Sequence, residues 1–103
     1  KKALADIARI AGDGIRECDA WKRAQARTGD KSVSNETIKR LDRIDRLILG
    51  HPAKEVAAMV FSAALGAEGA ELRASDPITA SRNLYSLIIE AAKKNTRMME
   101  KFA

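Results

Sequence analysis

Three breaks marked by glycine or proline divide this sequence of 103 residues into four segments. They fall at Gly29-Asp30, Gly50-His51-Pro52 and Ser75-Asp76-Pro77. Residues of these types end helices and form turns. Within the segments, apolar residues recur three and four positions apart, which places them along one face of a helix. Alanine is abundant and only four residues are aromatic, so strands are disfavoured. The sequence therefore predicts an all-α fold, a compact four-helix bundle-like domain with short connections.

We expect the four helices at about residues 2–27, 34–49, 52–73 and 77–102. Ser34 is placed to cap the second helix and Asp76 the fourth, where Pro77 takes the first helical position. Gly12 and Gly14 interrupt the first segment, but its apolar stripe keeps the same phase on both sides of them. We therefore expect one continuous helix there.

The third segment is rich in alanine and glycine, and its larger apolar residues point around more than half of the circumference. Small side chains allow another helix axis to approach closely. This pattern predicts that the third helix is the most buried element of the fold.

The length allows a single domain spanning residues 1–103. The longest uncharged apolar-rich stretch, residues 56–67, is too short to span a bilayer. No secretory leader pattern opens the sequence, and the single cysteine, Cys18, fits a reducing compartment. We therefore expect a cytoplasmic protein that does not span a membrane.

The basic charge is concentrated in the first half of the sequence, which has a net charge of +4 out of a total of +5. On the second helix, Lys39, Arg43 and Arg46 share a face, and phosphate contacts of such a row supply nucleic-acid affinity. The alternative is a solvated face paired with Asp42 and Asp45. The candidate nucleic-acid-binding residues are Lys22, Arg23, Arg27, Lys31, Lys39, Arg40, Arg43 and Arg46. These residues predict a small nucleic-acid-binding or nucleic-acid-associated regulatory protein, with DNA or RNA as its partner.

Residues 4–12 resemble the first helix and turn of a bacterial helix-turn-helix. The apolar and small positions of that motif would be filled by Ile7, Ala8, Ala11, Gly12, Cys18 and Trp21. The resemblance implies that Gly14, Arg16, Asp19 and Arg23 lie near DNA. Asp13 departs from the motif, because it stands where an aliphatic side chain is usually buried. The same residues also fit the core stripe of a single long helix.

A second functional class is a helical protein–protein interaction module, acting as an adaptor, an inhibitor or an assembly subunit. Its interface, with a protein partner or in a homo-oligomer, would use the alanine-rich third helix or the end of the fourth. Met98, Met99 and Phe102 provide adaptable apolar side chains there. The alternative, which the small size of the chain favours, is that they complete the core of the domain.

Catalysis has little support in this sequence. His51 is the only histidine, with no cysteine or second histidine near it in the chain, and Cys18 lies on an apolar stripe. A metal site or a Cys–His nucleophile needs more ligands or bases than these residues supply. We therefore expect no enzyme activity, no cofactor and no metal site.

Overall fold

The computed structural model describes residues 2–30, 32–67 and 76–102, with the backbone alone for residues 67 and 99–102. The chain forms four helices: α1 (Lys2–Thr28), α2 (Asn35–Leu49), α3 (Lys54–Ala67) and α4 (Pro77–Phe102). No strand occurs in the described ranges. The predicted all-α, four-helix bundle-like fold is confirmed.

The helix termini follow the predicted signals closely. Gly29, after the last residue of α1, has a φ of +72°, a conformation that favours glycine. The Ser34 side chain accepts a hydrogen bond from Thr37 N–H and caps α2. The Asp76 carboxylate does the same for Thr79 N–H at 2.7 Å, and α4 begins at Pro77 as predicted.

The helix α3 begins two residues later than predicted, at Lys54 rather than Pro52. His51 Nδ1 accepts a hydrogen bond from Ala53 N–H, and the carbonyl of Ala53 accepts the first bond of the helix from Ala57. Ala53 therefore takes the capping position. The predicted continuation of α3 from residue 68 to residue 73 lies outside the described residues.

The helix α1 is the central element of the fold, because it packs against all three other helices. Its main partner is α4, while α2 packs on α1 and α3 packs on α4. The prediction that α3 is the most buried helix is wrong for its described part. Met59 and Leu65 of α3 are 44% and 42% exposed, because α4 covers only one side of the helix.

One continuous helix runs through Gly12 and Gly14, as the phase of the apolar stripe predicts. A Cβ atom at Gly14 would lie 2.5 Å from Cε2 of Tyr85, so the ring of Tyr85 occupies the space that a side chain would need. The resemblance to a helix-turn-helix fails here. Because α1 has no turn at Gly12, the following residues do not form a separate recognition helix.

Two polar contacts join the helices around this core. The Tyr85 hydroxyl, on α4, donates a hydrogen bond to Asp45 of α2 at 2.6 Å. The Arg82 guanidinium, also on α4, binds Asp19 of α1 at 2.7 Å and holds the pKa of that carboxyl below its ordinary value. Both contacts fix α1, α2 and α4 as a scaffold for the surface that α1 and α2 present to solvent.

Candidate nucleic-acid interface

A row of arginines runs along the exposed side of α1. Arg9, Arg16 and Arg23 are seven residues apart, so they lie above one another on the helix, and Arg27 follows one turn after Arg23. All four are exposed, on the side opposite the buried stripe that faces the core. This row therefore points away from α4.

A second row lies on α2. Lys39, Arg43 and Arg46 are exposed on the side of the helix opposite buried Leu41 and Ile48. The two rows meet at one cleft, which is lined by Arg9 from α1 and by Arg46 from α2. We call this surface the outer basic face, and it consists of Arg9, Arg16, Arg23, Arg27, Lys39, Arg43 and Arg46.

Carboxylates accompany part of the outer basic face. Arg9 binds Asp6 at 2.7 Å, Arg16 binds Asp13, and Arg46 binds Asp42 at 2.9 Å. Each pair is within one turn of its own helix and is exposed, and pairs of this kind are weak. Phosphate oxygens can compete for these guanidinium groups.

Four cations of the face form no ion pair with another described residue: Arg23, Arg27, Lys39 and Arg43. Arg23 and Arg27 are four residues apart on α1, and Lys39 and Arg43 have the same spacing on α2. Each pair therefore places two cations on adjacent turns of one helix. These four residues leave their charges available to an anionic ligand.

Two of the other three predicted binding residues lie elsewhere. Arg40 binds Glu17 of α1 at 3.1 Å and Glu36 at 2.9 Å, so it fastens α2 to α1, and Glu17 contributes most to raising its pKa. Lys22 is half-buried near Asp19 and near the start of α4, where the hydrogen bond from Thr79 N–H and, to a smaller extent, the charge of Lys22 lower the pKa of Asp76. Lys31 lies outside the described residues.

The predicted binding residues did not include Arg9, and Arg16 was considered only through the resemblance to a helix-turn-helix. The signal was present, because Arg9, Arg16 and Arg23 repeat at an interval of seven residues, close to two helical turns. The acidic neighbours Asp6 and Asp13 concealed it, since they leave the local net charge near zero.

A cleft of about 900 Å³ opens between the first half of α1 and the end of α2. Apolar side chains form most of its surface, among them Ile10, Leu47 and Pro52. Arg9 and Arg46 stand at its edges. A smaller depression adjoins it on α2, is lined by Lys39 and Arg43, and shares Arg46 and Leu47 with the cleft.

His51 lines the cleft, with a side chain that is 12% exposed. Its Nδ1 accepts a hydrogen bond from Ala53 N–H, so its proton is on Nε2, which donates to Asp6 at 2.8 Å. Both ring nitrogens are therefore occupied, and His51 has no free nitrogen with which to act as a general base. The bond to Arg9 and then that to His51 lower the pKa of Asp6.

The remaining reactive side chain is Cys18. It is fully buried, and burial raises the pKa of its thiol to about 11, so the thiol stays protonated at neutral pH. Within the part of the chain that the structure describes, no group of three histidine, cysteine or acidic side chains is arranged to hold a metal ion.

The predicted protein-interaction residues are at the end of α4. Met98 is 49% exposed, whereas the side chains of Met99 and Phe102 lie outside the described residues. Apolar side chains with a slightly larger exposed fraction occur on α2, where Ile38 and Leu49 are 52% and 56% exposed.

Within residues 2–30, 32–67 and 76–102, no helix combines the length and the apolar character that crossing a bilayer requires. Comparison of the chain with protein-family models, with curated proteins and with solved structures found no match.

Proposed function

We propose that this four-helix protein is a nucleic-acid-binding or nucleic-acid-associated regulatory protein that acts through the outer basic face, without catalysis. The observation that carries the proposal is the group Arg23, Arg27, Lys39 and Arg43, which are exposed and have no ion-pair partner among the described residues. A buried, reduced Cys18 is consistent with a cytoplasmic location for such a protein.

Binding follows from phosphate neutralisation. Each lysine or arginine that contacts a phosphate releases condensed counterions, so the affinity decreases as the salt concentration rises. The rows on α1 and α2 lie on helices whose opposite sides are packed into the core, so the cations are held on a preformed surface. A homo-oligomer would repeat this surface and extend the number of phosphates in contact.

The test is fluorescence anisotropy with labelled duplex and single-stranded oligonucleotides at salt concentrations from about 50 to about 200 mM. One variant carries Lys39→Glu, Arg43→Glu and Arg46→Glu. A matched variant carries Lys93→Glu, Lys94→Glu and Arg97→Glu, which make the same change in net charge at exposed positions of α4.

We expect the α2 variant to lose at least about 100-fold in affinity, and the slope of log affinity against log salt to decrease by roughly 2 to 3. The α4 variant should lose less than about 10-fold, the part that depends on net charge alone. Equal losses in the two variants, or no binding by the wild type at low salt, would contradict the proposal.

A second candidate function is a protein–protein interaction module. It is supported by the exposed apolar side chains Ile38 and Leu49 of α2 and Met59 and Leu65 of α3. Light scattering on the same samples separates the two candidates. Self-association of a wild type that binds no oligonucleotide would favour the interaction module.

A further inference from the structure

The cleft between α1 and α2 opens inside the outer basic face rather than apart from it. Arg9 and Arg46 line its edges, and the neighbouring depression brings Lys39 and Arg43 to the same opening through the shared residues Arg46 and Leu47. A backbone that follows the cations of α2 therefore passes directly over a concave, mostly apolar space.

We infer that this cleft receives an unstacked nucleobase, and that the protein therefore prefers single-stranded nucleic acid to duplex. The inference rests on the proposed function and specifies the form of nucleic acid that the same surface selects. In a duplex the bases are stacked and paired, so a base enters a side cleft only from a single strand or after it has been flipped out.

The dimensions and the lining of the cleft fit a planar base. Its volume of about 900 Å³ exceeds what a single base needs, and its walls include Leu47 and Pro52, which offer apolar contact to the base surface. The Arg9 and Arg46 guanidinium groups at the edges can stack on a base or bind the flanking phosphates.

The spacing on α2 suits a chain of phosphates leaving the cleft. From Arg46, the cations Arg43 and Lys39 follow after three and four further residues, which is about 4.5 Å and then about 6 Å along the helix axis. A nucleotide whose base lies in the cleft thus places the next phosphates over Arg43 and Lys39, which have no ion-pair partner among the described residues.

The experiment compares two labelled single strands of about 16 nucleotides, one of mixed sequence and one in which the central positions are abasic. The two strands have the same phosphates, so phosphate neutralisation alone binds them equally. A duplex of the same length is the third ligand, and all three are titrated at one fixed low salt concentration.

Leu47→Ser is the test variant, and Leu49→Ser is its matched control. Both leucines are on α2 and are similarly exposed, at 52% and 56%, but only Leu47 lines the cleft. About half of each side chain is exposed to solvent, so we expect both variants to fold. Thermal unfolding of each variant, measured beside the titrations, checks this.

We expect the wild type to bind the mixed strand at least about five-fold more tightly than the abasic strand, from the contacts of one base with Leu47 and with the guanidinium groups. Leu47→Ser should remove this difference, and Leu49→Ser should retain it. Equal binding of the mixed and the abasic strand by the wild type, or tighter binding of the duplex than of the mixed strand, would overturn the inference and leave the proposed function intact. A difference that survives in Leu47→Ser would also overturn it, whereas absence of binding to every ligand would refute the proposed function itself.

Discussion

Two of the contacts that α1 makes on the α2 side of the bundle differ in kind. Around Gly14 the contact is buried: the Tyr85 ring packs against the α1 backbone, and its hydroxyl reaches Asp45 of α2. Around Asp6 the contact is polar and partly open to solvent, because the Asp6–His51 hydrogen bond lies at the wall of the cleft.

The buried contact therefore contributes to stability, whereas the open contact leaves space for a ligand. Tyr85 is fully buried and fills the middle of the fold, so the free energy of unfolding depends on its packing. At the cleft end, the hydrogen-bonded side chains of Asp6 and His51 line an open volume. The α2 side of α1 is thus closed in its middle, where Tyr85 of α4 fills the space, and open at one end. The open end carries Arg9 and Arg46 of the outer basic face.

The largest expected effect is on the buried contact, in the variant Gly14→Ala. The added Cβ would lie within 2.5 Å of the Tyr85 ring, so the ring or the helix must move. We expect a loss of about 1–3 kcal/mol in the free energy of unfolding, although alanine has the higher helix propensity.

Gly12→Ala is the matched control in the same helix. Its added Cβ would meet only the flexible Arg16 side chain, at 3.8 Å. The variant should gain about 0.5–1 kcal/mol, because alanine is the better residue in a helix interior. Urea unfolding of both variants measures the difference, and a stabilised Gly14→Ala would show that Tyr85 does not pack there.

The sequence allowed the prediction of each helix but not of its partners. The spacing of Leu41, Ile44 and Ile48 defines a buried face for α2, and the caps at Ser34 and Asp76 define where helices begin. The period of a helix does not say which other helix covers that face. For α3, small side chains fit a buried and an exposed surface equally well, which is why its burial was overestimated.

The same limit applies to single residues of the candidate site, because the sequence does not show which neighbours each side chain contacts. Lys22 and Arg23 are adjacent in the sequence, yet one residue is about 100° of rotation on a helix. Arg23 is therefore exposed on the outer basic face, while Lys22 lies half-buried toward α4. Arg40 was equally hard to place, because its partner Glu17 is on another helix.

A smaller effect is expected at the cleft end, in the variant His51→Ala. The substitution removes the acceptor of Ala53 N–H and the donor to Asp6, which together hold the start of α3 near α1. The bond to Ala53 should contribute on the order of 1 kcal/mol to the free energy of unfolding. We expect a smaller loss than in Gly14→Ala by the same urea measurement. A larger loss would show that the cleft end also determines the stability of the bundle.

The smallest expected effects are changes in melting temperature with pH, and they have opposite signs at the two contacts. Burial raises the pKa of Asp45, and the hydrogen bond from Tyr85 opposes that rise. A carboxyl with a higher pKa in the folded chain makes stability decrease as pH rises from its ordinary value of 3.8 through the raised pKa. Asp45→Asn keeps an oxygen that accepts from Tyr85 and removes this cost, so its melting temperature at neutral pH should slightly exceed that of the wild type.

Asp6→Asn at the cleft should act in the opposite direction. Because Arg9 and His51 lower the pKa of Asp6, its ionised form stabilises the folded chain above pH 3.8, and this stabilisation is lost as pH falls through the lowered pKa. The variant should therefore melt at a lower temperature than the wild type at neutral pH, with the difference disappearing in acid. Melting curves from about pH 3 to pH 7 measure both variants. If both variants shifted the melting temperature in the same direction at neutral pH, the two carboxylates would not have opposite effects on stability. That result would contradict the distinction between the buried and the open contact.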